Sequence, residues 1–142
     1  MEKKTVAWIE DDADEIAVVI KPLLRAGIEF TIYHNYSPAL EHMEEIRACD
    51  LILLDLIIPP GDAAPSDQPS LEEDEEYLGK PLLRKIRDEF EIQLPVIVLS
   101  VVADMGTFSD EEKRKWRIKE LVKPIRPSTL KTEVFRALGI EA

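Results

Sequence analysis

The chain has 142 residues, of which 45% are apolar and 33% charged, and its formal net charge is −11 at pH 7. This length fits one domain. A chain this acidic is excluded as a general nucleic-acid binder, because phosphate backbones would repel it. The single cysteine, Cys49, excludes an internal disulfide and suits a reducing cytosol. The first apolar run ends at Glu10, too early for a signal peptide or membrane span, so we interpret the protein as soluble and cytoplasmic, with no membrane partner.

Short apolar runs alternate along the chain with segments of helical periodicity. Apolar and β-branched residues predict strands at residues 5–9, 30–33, 51–54 and 95–99, and a fifth strand is predicted at residues 118–122. Helical spacing predicts five helices, at residues 13–26, 37–46, 79–90, 110–116 and 128–138. Gly27 and Gly139 follow the first and the last of these helices, where glycine commonly ends a helix.

Strands that alternate with helices in this way indicate βαβ units. Such units make the strands parallel and place helices on both faces of the sheet. We therefore predict an α/β fold, a doubly wound five-stranded parallel sheet, over residues 1–142. The strand order that we expect, 2-1-3-4-5, is that of the flavodoxin-like sheets that such a succession of five units resembles. Ligands of such sheets bind at the carboxyl ends of the strands, at the switch point between strands 1 and 3.

Acidic residues follow both strands that flank this switch point. Glu10 and Asp11 come directly after the first strand, and Asp55 ends the third. Carboxylates gathered at one point repel one another and favour a hard cation such as Mg²⁺, which takes oxygen ligands. A carboxylate that faces a phosphoryl group can also act as a nucleophile. Ser100 and Lys123, which follow strands 4 and 5, are candidates to donate a hydrogen bond and a positive charge to phosphoryl oxygens.

Four segments, taken in chain order, resemble those of response-regulator receiver domains, the phosphoacceptor domains of two-component systems. They are the acidic pair in residues 6–12, the strand and proline of residues 50–59, the hydroxyl-ended strand of residues 95–100, and the Val-Lys-Pro step of residues 122–124. Each motif alone is weak, but together they cover nearly the whole chain.

The resemblance implies a metal site and a phosphoacceptor. Asp55 is the residue expected to carry the phosphoryl group. Asp11 is the expected main ligand of Mg²⁺, assisted by Glu10, by Asp55 and by the backbone carbonyl of Ile57.

The resemblance also implies phosphoryl-binding residues and partners. Ser100 and Lys123 are expected to bind the phosphoryl oxygens, and the bond between Lys123 and Pro124 is expected to be cis. The expected partners are a histidine kinase or phosphotransfer protein, and a downstream protein or output domain. Such a domain is not a conventional enzyme, since it catalyses only its own phosphorylation and dephosphorylation. A homodimer through strand 4, strand 5 and the closing helix is a further possibility.

Two segments depart from the receiver pattern. Residues 59–77, between strand 3 and the third helix, form a long acidic insertion, which we interpret as solvated and partly disordered, or else as a docking element or lid. In the second segment, Glu120 stands where receivers carry an aromatic switch residue, and Trp116-Arg117 stand where Gly-Ala is usual. The basic run at residues 113–119 before Glu120 is either a solvated helix face or a site for an acidic segment.

These departures leave other functions open. The first alternative is a pseudo-receiver, an interaction module that is never phosphorylated. A metal-dependent phosphatase ranks lower because position 57 is isoleucine and offers no general acid. Taken singly, the site residues also fit structural roles, such as the helix capping that we assign to Asp12.

Overall fold

The computed structural model of the chain describes residues 3–11, 13, 17–56, 79–100 and 108–140. Its strands are β1 (Thr5–Ile9), β2 (Glu29–Tyr33), β3 (Leu51–Asp55), β4 (Val96–Ser100) and β5 (Ile118–Val122). Its helices are α1 (Lys21–Arg25), α2 (Tyr36–Glu41), α3 (Met43–Arg47), α4 (Gly79–Arg84), α5 (Asp110–Trp116) and α6 (Pro127–Leu138). A 3₁₀ turn over Ala17–Ile20 precedes α1, and a π-helical turn over Lys85–Glu89 extends α4.

The five strands form one sheet in the order β2-β1-β3-β4-β5, and each neighbouring pair is parallel. This confirms the predicted doubly wound sheet and its strand order. The register pairs Ile9 with Leu54, and Asp55 with Leu99. It therefore brings the residue that follows β1 next to the end of β3, at the switch point.

The two faces of the sheet bury separate apolar clusters. One cluster includes Ile52 and Leu54 and is covered by α2 to α5, whereas the other includes Leu51 and Leu53 and is covered by α1 and α6. Every residue of β3 is buried, which explains its continuous apolar sequence. This rigid central strand fixes the position of the carboxylate at its end. Both tryptophans, Trp8 and Trp116, are also buried.

Two predicted helices differ from those observed. The helix predicted over residues 37–46 is divided at His42, whose backbone angles (φ −117°, ψ 33°) are not helical, into α2 and α3. The helix predicted over residues 13–26 is described from Ala17, as a 3₁₀ turn followed by the short α1. Pro22 lies in the first turn of α1, where its missing N–H costs no hydrogen bond.

The glycines expected to end helices both have left-handed backbone angles, with φ of 90° at Gly27 and 71° at Gly139.

Among the described residues, no helix combines the length and the apolar character needed to cross a membrane. The predicted insertion at residues 59–77 and the capping role of Asp12 lie outside the described residues and stay predictions.

Candidate functional site

Three carboxylates meet at the carboxyl end of the sheet, as the sequence predicted. One carboxylate oxygen from each of Glu10, Asp11 and Asp55 lies within 4.8 Å of the other two. Glu10 and Asp55 are buried, with 0% and 4% of their surface exposed, whereas Asp11 is exposed. The backbone N–H of Glu10 donates to the carbonyl of Tyr33 at 2.9 Å, which anchors the end of β1 against β2. The cluster thus has a buried floor and a solvent-facing rim.

Lys123 joins these carboxylates from the loop after β5. Its Nζ donates to Oε1 of Glu10 and, at 3.1 Å, to Oδ2 of Asp55. The Lys123 side chain is 17% exposed. The peptide bond to Pro124 is cis, as the resemblance implied. Glu10 and Lys123, which are 113 positions apart in the sequence, therefore contact each other in the site.

The electrostatics of the site favour an additional positive charge. Burial raises the pKa of Glu10 to about 8; the neighbouring Asp55 adds to the rise and Lys123 opposes it. Burial by itself would lower the pKa of Lys123, but the hydrogen bond with Glu10 and the charge of Asp55 outweigh it, so that the pKa is raised. One ammonium group cannot balance Glu10 and Asp55 when both are charged, so that below about pH 8 a proton on Glu10 offsets the second charge, and a bound cation would take the place of that proton.

The donor set fits a hard divalent cation. Oε2 of Glu10 is buried and has no hydrogen-bond partner within the described part of the chain. A buried carboxylate oxygen without a partner is costly, and Mg²⁺ takes oxygen ligands of this kind. Glu10, Asp11 and Asp55 supply three carboxylates in one place, and the exposed position of Asp11 leaves room for the waters that Mg²⁺ retains.

Gly79, the first residue of α4, packs against the end of β3. Its backbone N–H donates to the carbonyl of Leu56 at 2.9 Å. A Cβ atom at position 79 would lie 2.6 Å from Cα of Leu56 and would overlap the carbonyl oxygen of Asp55. The helix therefore approaches the Asp55 backbone closely enough to require glycine. This contact was not predictable from the sequence, because glycine at a helix start gives no indication of which backbone it approaches.

Two predicted site features lie outside the part of the chain that the structure describes. The backbone of Ser100 ends β4 and pairs in register with Val122, but its side chain is not described, and neither is Ile57. The expected roles of the Ser100 hydroxyl and the Ile57 carbonyl therefore stay predictions.

The segment with the unusual switch position contains an ion pair. Nζ of Lys113 in α5 lies 3.6 Å from Oε1 of Glu120 in β5. The N-terminus of α5 is fixed by a capping box, in which the Ser109 hydroxyl accepts from the N–H of Glu112 at 3.0 Å and the Glu112 carboxylate accepts from the N–H of Ser109 at 3.0 Å. A charged pair thus occupies the place where the sequence resemblance leads us to expect an aromatic ring.

The sheet order and the acidic cluster at its switch point define a doubly wound domain with three carboxylates at the carboxyl end of its sheet. No protein-family model matches the chain, and no curated protein matches it either. Solved structures with the same fold include a CheY-like response regulator receiver domain protein from Methanospirillum hungatei, with 19% identity, a TM-score of 0.71, and coverage of 97% of this chain and 95% of that one.

Two further structures agree with this assignment of the fold. A response regulator from Thermotoga maritima has 21% identity and a TM-score of 0.68, covering 97% of this chain and 99% of its own. A two-component response regulator from Clostridium difficile has 19% identity and a TM-score of 0.70, covering 96% and 97%. The chain therefore has the receiver-domain fold over nearly its whole length, which confirms the fold that the sequence resemblance implied.

Proposed function

We propose that this chain is a phosphoacceptor signalling domain that takes a phosphoryl group onto Asp55 beside a bound Mg²⁺. The main support is the convergence of Glu10, Asp11 and Asp55 within 4.8 Å, with Nζ of Lys123 at 3.1 Å from Asp55. Asp55 ends the buried central strand, so the strand fixes the place of its carboxylate within the acidic cluster. The arrangement suits a nucleophile that needs placement and charge neutralisation.

In the proposed reaction, a carboxylate oxygen of Asp55 attacks the phosphorus atom, and the bond from phosphorus to the donor's leaving atom breaks. Lys123 neutralises negative charge on Asp55 and on the phosphoryl oxygens. The hydroxyl of Ser100 is expected to donate to a phosphoryl oxygen. Asp11, Glu10, Asp55 and the Ile57 carbonyl would hold the Mg²⁺. When bound, the ion offsets the charge that accumulates as the phosphoryl group is transferred.

Phosphorylation would alter the charge balance of the site. An acyl phosphate carries roughly two negative charges in place of the one on the Asp55 carboxylate, and it places them next to Glu10, which is fully buried. Lys123, at present shared between Glu10 and Asp55, would be drawn toward the phosphoryl oxygens. Such a shift in an ion pair can bias a surface between two states. The phosphodonor would be a histidine kinase or phosphotransfer protein, and the output a contact with a downstream protein or domain.

A pseudo-receiver is the second candidate. The observation that favours it is the ion pair of Lys113 with Glu120, 3.6 Å apart, at the position where receivers carry an aromatic switch residue. A module of this kind would keep the fold and bind a partner without phosphorylation. The complete set of charged residues in the pocket favours the first candidate.

Intact-mass measurement after exposure to a small phosphodonor, such as acetyl phosphate, separates the two candidates. We expect wild type to gain the mass of one phosphoryl group when Mg²⁺ is present and to gain none after chelation. Asp55→Asn should gain none under either condition, while Asp88→Asn, on the exposed side of the π-helical turn, should behave as wild type. An unmodified wild-type protein at saturating Mg²⁺ would favour the pseudo-receiver.

A further inference from the structure

A basic surface extends from the last turn of α5 into the start of β5. We define it by four exposed side chains: Arg114, Lys115, Arg117 and Lys119. Residues 113–119 contain five basic residues and no acidic one, in a chain where acidic residues outnumber basic residues by 29 to 18. Positive charge is thus concentrated in one short segment of an otherwise acidic protein.

The basic surface has no carboxylate partners of its own. Within the residues that the structure describes, none of its four side chains forms an ion pair. Arg117 instead donates to the carbonyl of Gln93 at 3.2 Å. Several cations on other elements do have carboxylates at 3.2 Å or less, namely Lys3, Arg47, Lys85 and Arg136.

Helix electrostatics account for only part of this cluster. Cations are favoured near the C-terminus of a helix, and Arg114 and Lys115 lie in the last turn of α5. Arg117 and Lys119 lie beyond the helix. Arg117 has left-handed backbone angles, with φ of 56°, and Lys119 belongs to β5, which in the described sheet pairs with β4 alone. Because Arg117 is the C-cap residue of α5, the helix dipole favours its charge as well, but Lys119 lies in the following strand, where the dipole gives it no compensation.

The fold holds this surface in place. Trp116 is 8% exposed and anchors the end of α5 in the core. The buried guanidinium of Arg87 donates to the carbonyl of Trp116 and, at 2.6 Å, to the carbonyl of Ile92. These contacts connect the turn after α4, the approach to β4 and the end of α5. The four cations are thus presented by an ordered support, which lowers the cost of ordering a binding surface.

We propose that the basic surface is a docking site for a carboxylate-rich segment of a partner protein. Charge complementarity identifies the class of ligand, because four exposed cations that pair with no carboxylate of the described residues attract an anionic chain. The net charge of −11 disfavours a nucleic acid, whose long phosphate backbone would also meet the acidic remainder of the surface. Lys119 on an edge strand discourages pairing with arbitrary strands and so selects for acidic segments.

The test is fluorescence anisotropy of a labelled peptide with five consecutive Glu and Asp residues flanked by glycines, titrated with the full chain at low ionic strength. We expect a variant with Arg114→Glu, Lys115→Glu and Lys119→Glu to bind at least about tenfold more weakly than wild type. The matched control carries Lys21→Glu, Arg25→Glu and Arg126→Glu, which reverse three other exposed cations and give the same net charge. It should bind within about twofold of wild type.

Binding should also weaken with added salt, because the Debye length falls from about 10 Å at 0.1 M to about 3 Å at 1 M. Circular dichroism establishes whether each variant is folded. If the triple variant does not fold, the single change Lys119→Gln is used in its place. The single change should weaken binding by about twofold or more.

Four results would overturn the proposal. The first is equal weakening in the triple variant and its matched control, which would show a net-charge effect. The second is tighter binding of an RNA oligomer with the same number of charges. The third is the absence of binding both in wild type and in a variant whose acidic run at residues 72–76 is changed to the corresponding amides. The fourth is binding only in that variant, since the chain would then occupy the surface itself.

Discussion

The carboxyl end of the sheet and the α5–β5 edge each contain a lysine–carboxylate pair, but in different surroundings. Lys123 and Asp55 are 3.1 Å apart with side chains 17% and 6% exposed, whereas Lys113 and Glu120 are 3.6 Å apart and 38% and 32% exposed. A buried charge must be balanced within its site, while a half-exposed one is also stabilised by water. The pocket therefore tolerates few substitutions, and the α5–β5 edge can change its residues without loss of the fold.

The largest expected effect comes from removal of the pocket lysine. Lys123→Ala leaves the buried carboxylates of Glu10 and Asp55 facing each other without an ammonium group. We expect the free energy of unfolding in the absence of Mg²⁺ to fall by about 3 kcal/mol, measured by urea denaturation, and added Mg²⁺ to recover part of it. Lys21→Ala, at an exposed position, should change it by less than about 0.5 kcal/mol. A loss below about 1 kcal/mol for Lys123→Ala would remove the contrast between the two regions.

The next effect tests the close approach of α4 to Asp55. Gly79→Ala places a Cβ atom 2.6 Å from Cα of Leu56, so that the helix or the end of β3 must move. We expect the free energy of unfolding to fall by about 1–3 kcal/mol, with slower phosphorylation as the Asp55 carboxylate shifts. Glu111→Ala on the exposed face of α5 serves as the control. Unchanged stability and phosphorylation would show that the backbone next to Asp55 is not constrained by this contact.

A third prediction concerns alkaline pH, away from both regions. Burial, with the charges of Asp50 and Glu45, raises the pKa of the Cys49 thiol to about 11. The unfolded chain loses this proton first, so the stabilisation is complete below about pH 9 and is lost as the pH rises through about 11. Between about pH 8 and about pH 10, we expect the free energy of unfolding of wild type to fall by about 1 kcal/mol more than that of Cys49→Ala. Parallel stability curves for the two proteins would contradict this expectation.

The smallest effect is expected at the α5–β5 edge. A double-mutant cycle of Lys113→Ala and Glu120→Gln should give a coupling energy of about 0.5 kcal/mol or less, which falls further with added salt. A coupling above about 1.5 kcal/mol, insensitive to salt, would place this pair in the same class as the pocket pairs.

The sequence was sufficient to predict the strands because helical segments separate them and most of them contain a run of apolar residues; Lys119 and Glu120 interrupt this pattern in β5. The strand order was predicted from the flavodoxin-like sheets that such a succession of units resembles. The sequence was also sufficient to predict that Glu10, Asp11 and Asp55 meet, since the ends of neighbouring parallel strands lie at one edge of a sheet. The split of one predicted helix at His42 was not predictable, because Met43 and Ile46 continue the same buried face.

The burial of individual charged side chains was harder to predict than the positions of the site residues in the fold. A glutamate after a strand is usually exposed, yet Glu10 is fully buried through its contacts with Lys123 and Asp55. Arg87 is likewise a charged residue type that is seldom fully buried, yet it is 4% exposed, with backbone carbonyls as its acceptors. Such burial depends on partners distant in sequence. The Ser100 hydroxyl and the Ile57 carbonyl stay predictions.

The central claim, that Asp55 accepts the phosphoryl group, is tested most directly by locating the modification. After reaction with acetyl phosphate and Mg²⁺, borohydride reduction converts an aspartyl phosphate to homoserine, which peptide mass spectrometry assigns to a position. We predict homoserine at position 55 alone, and none after chelation of Mg²⁺. Homoserine at another acidic residue, or none anywhere despite saturating donor and Mg²⁺, would contradict the account.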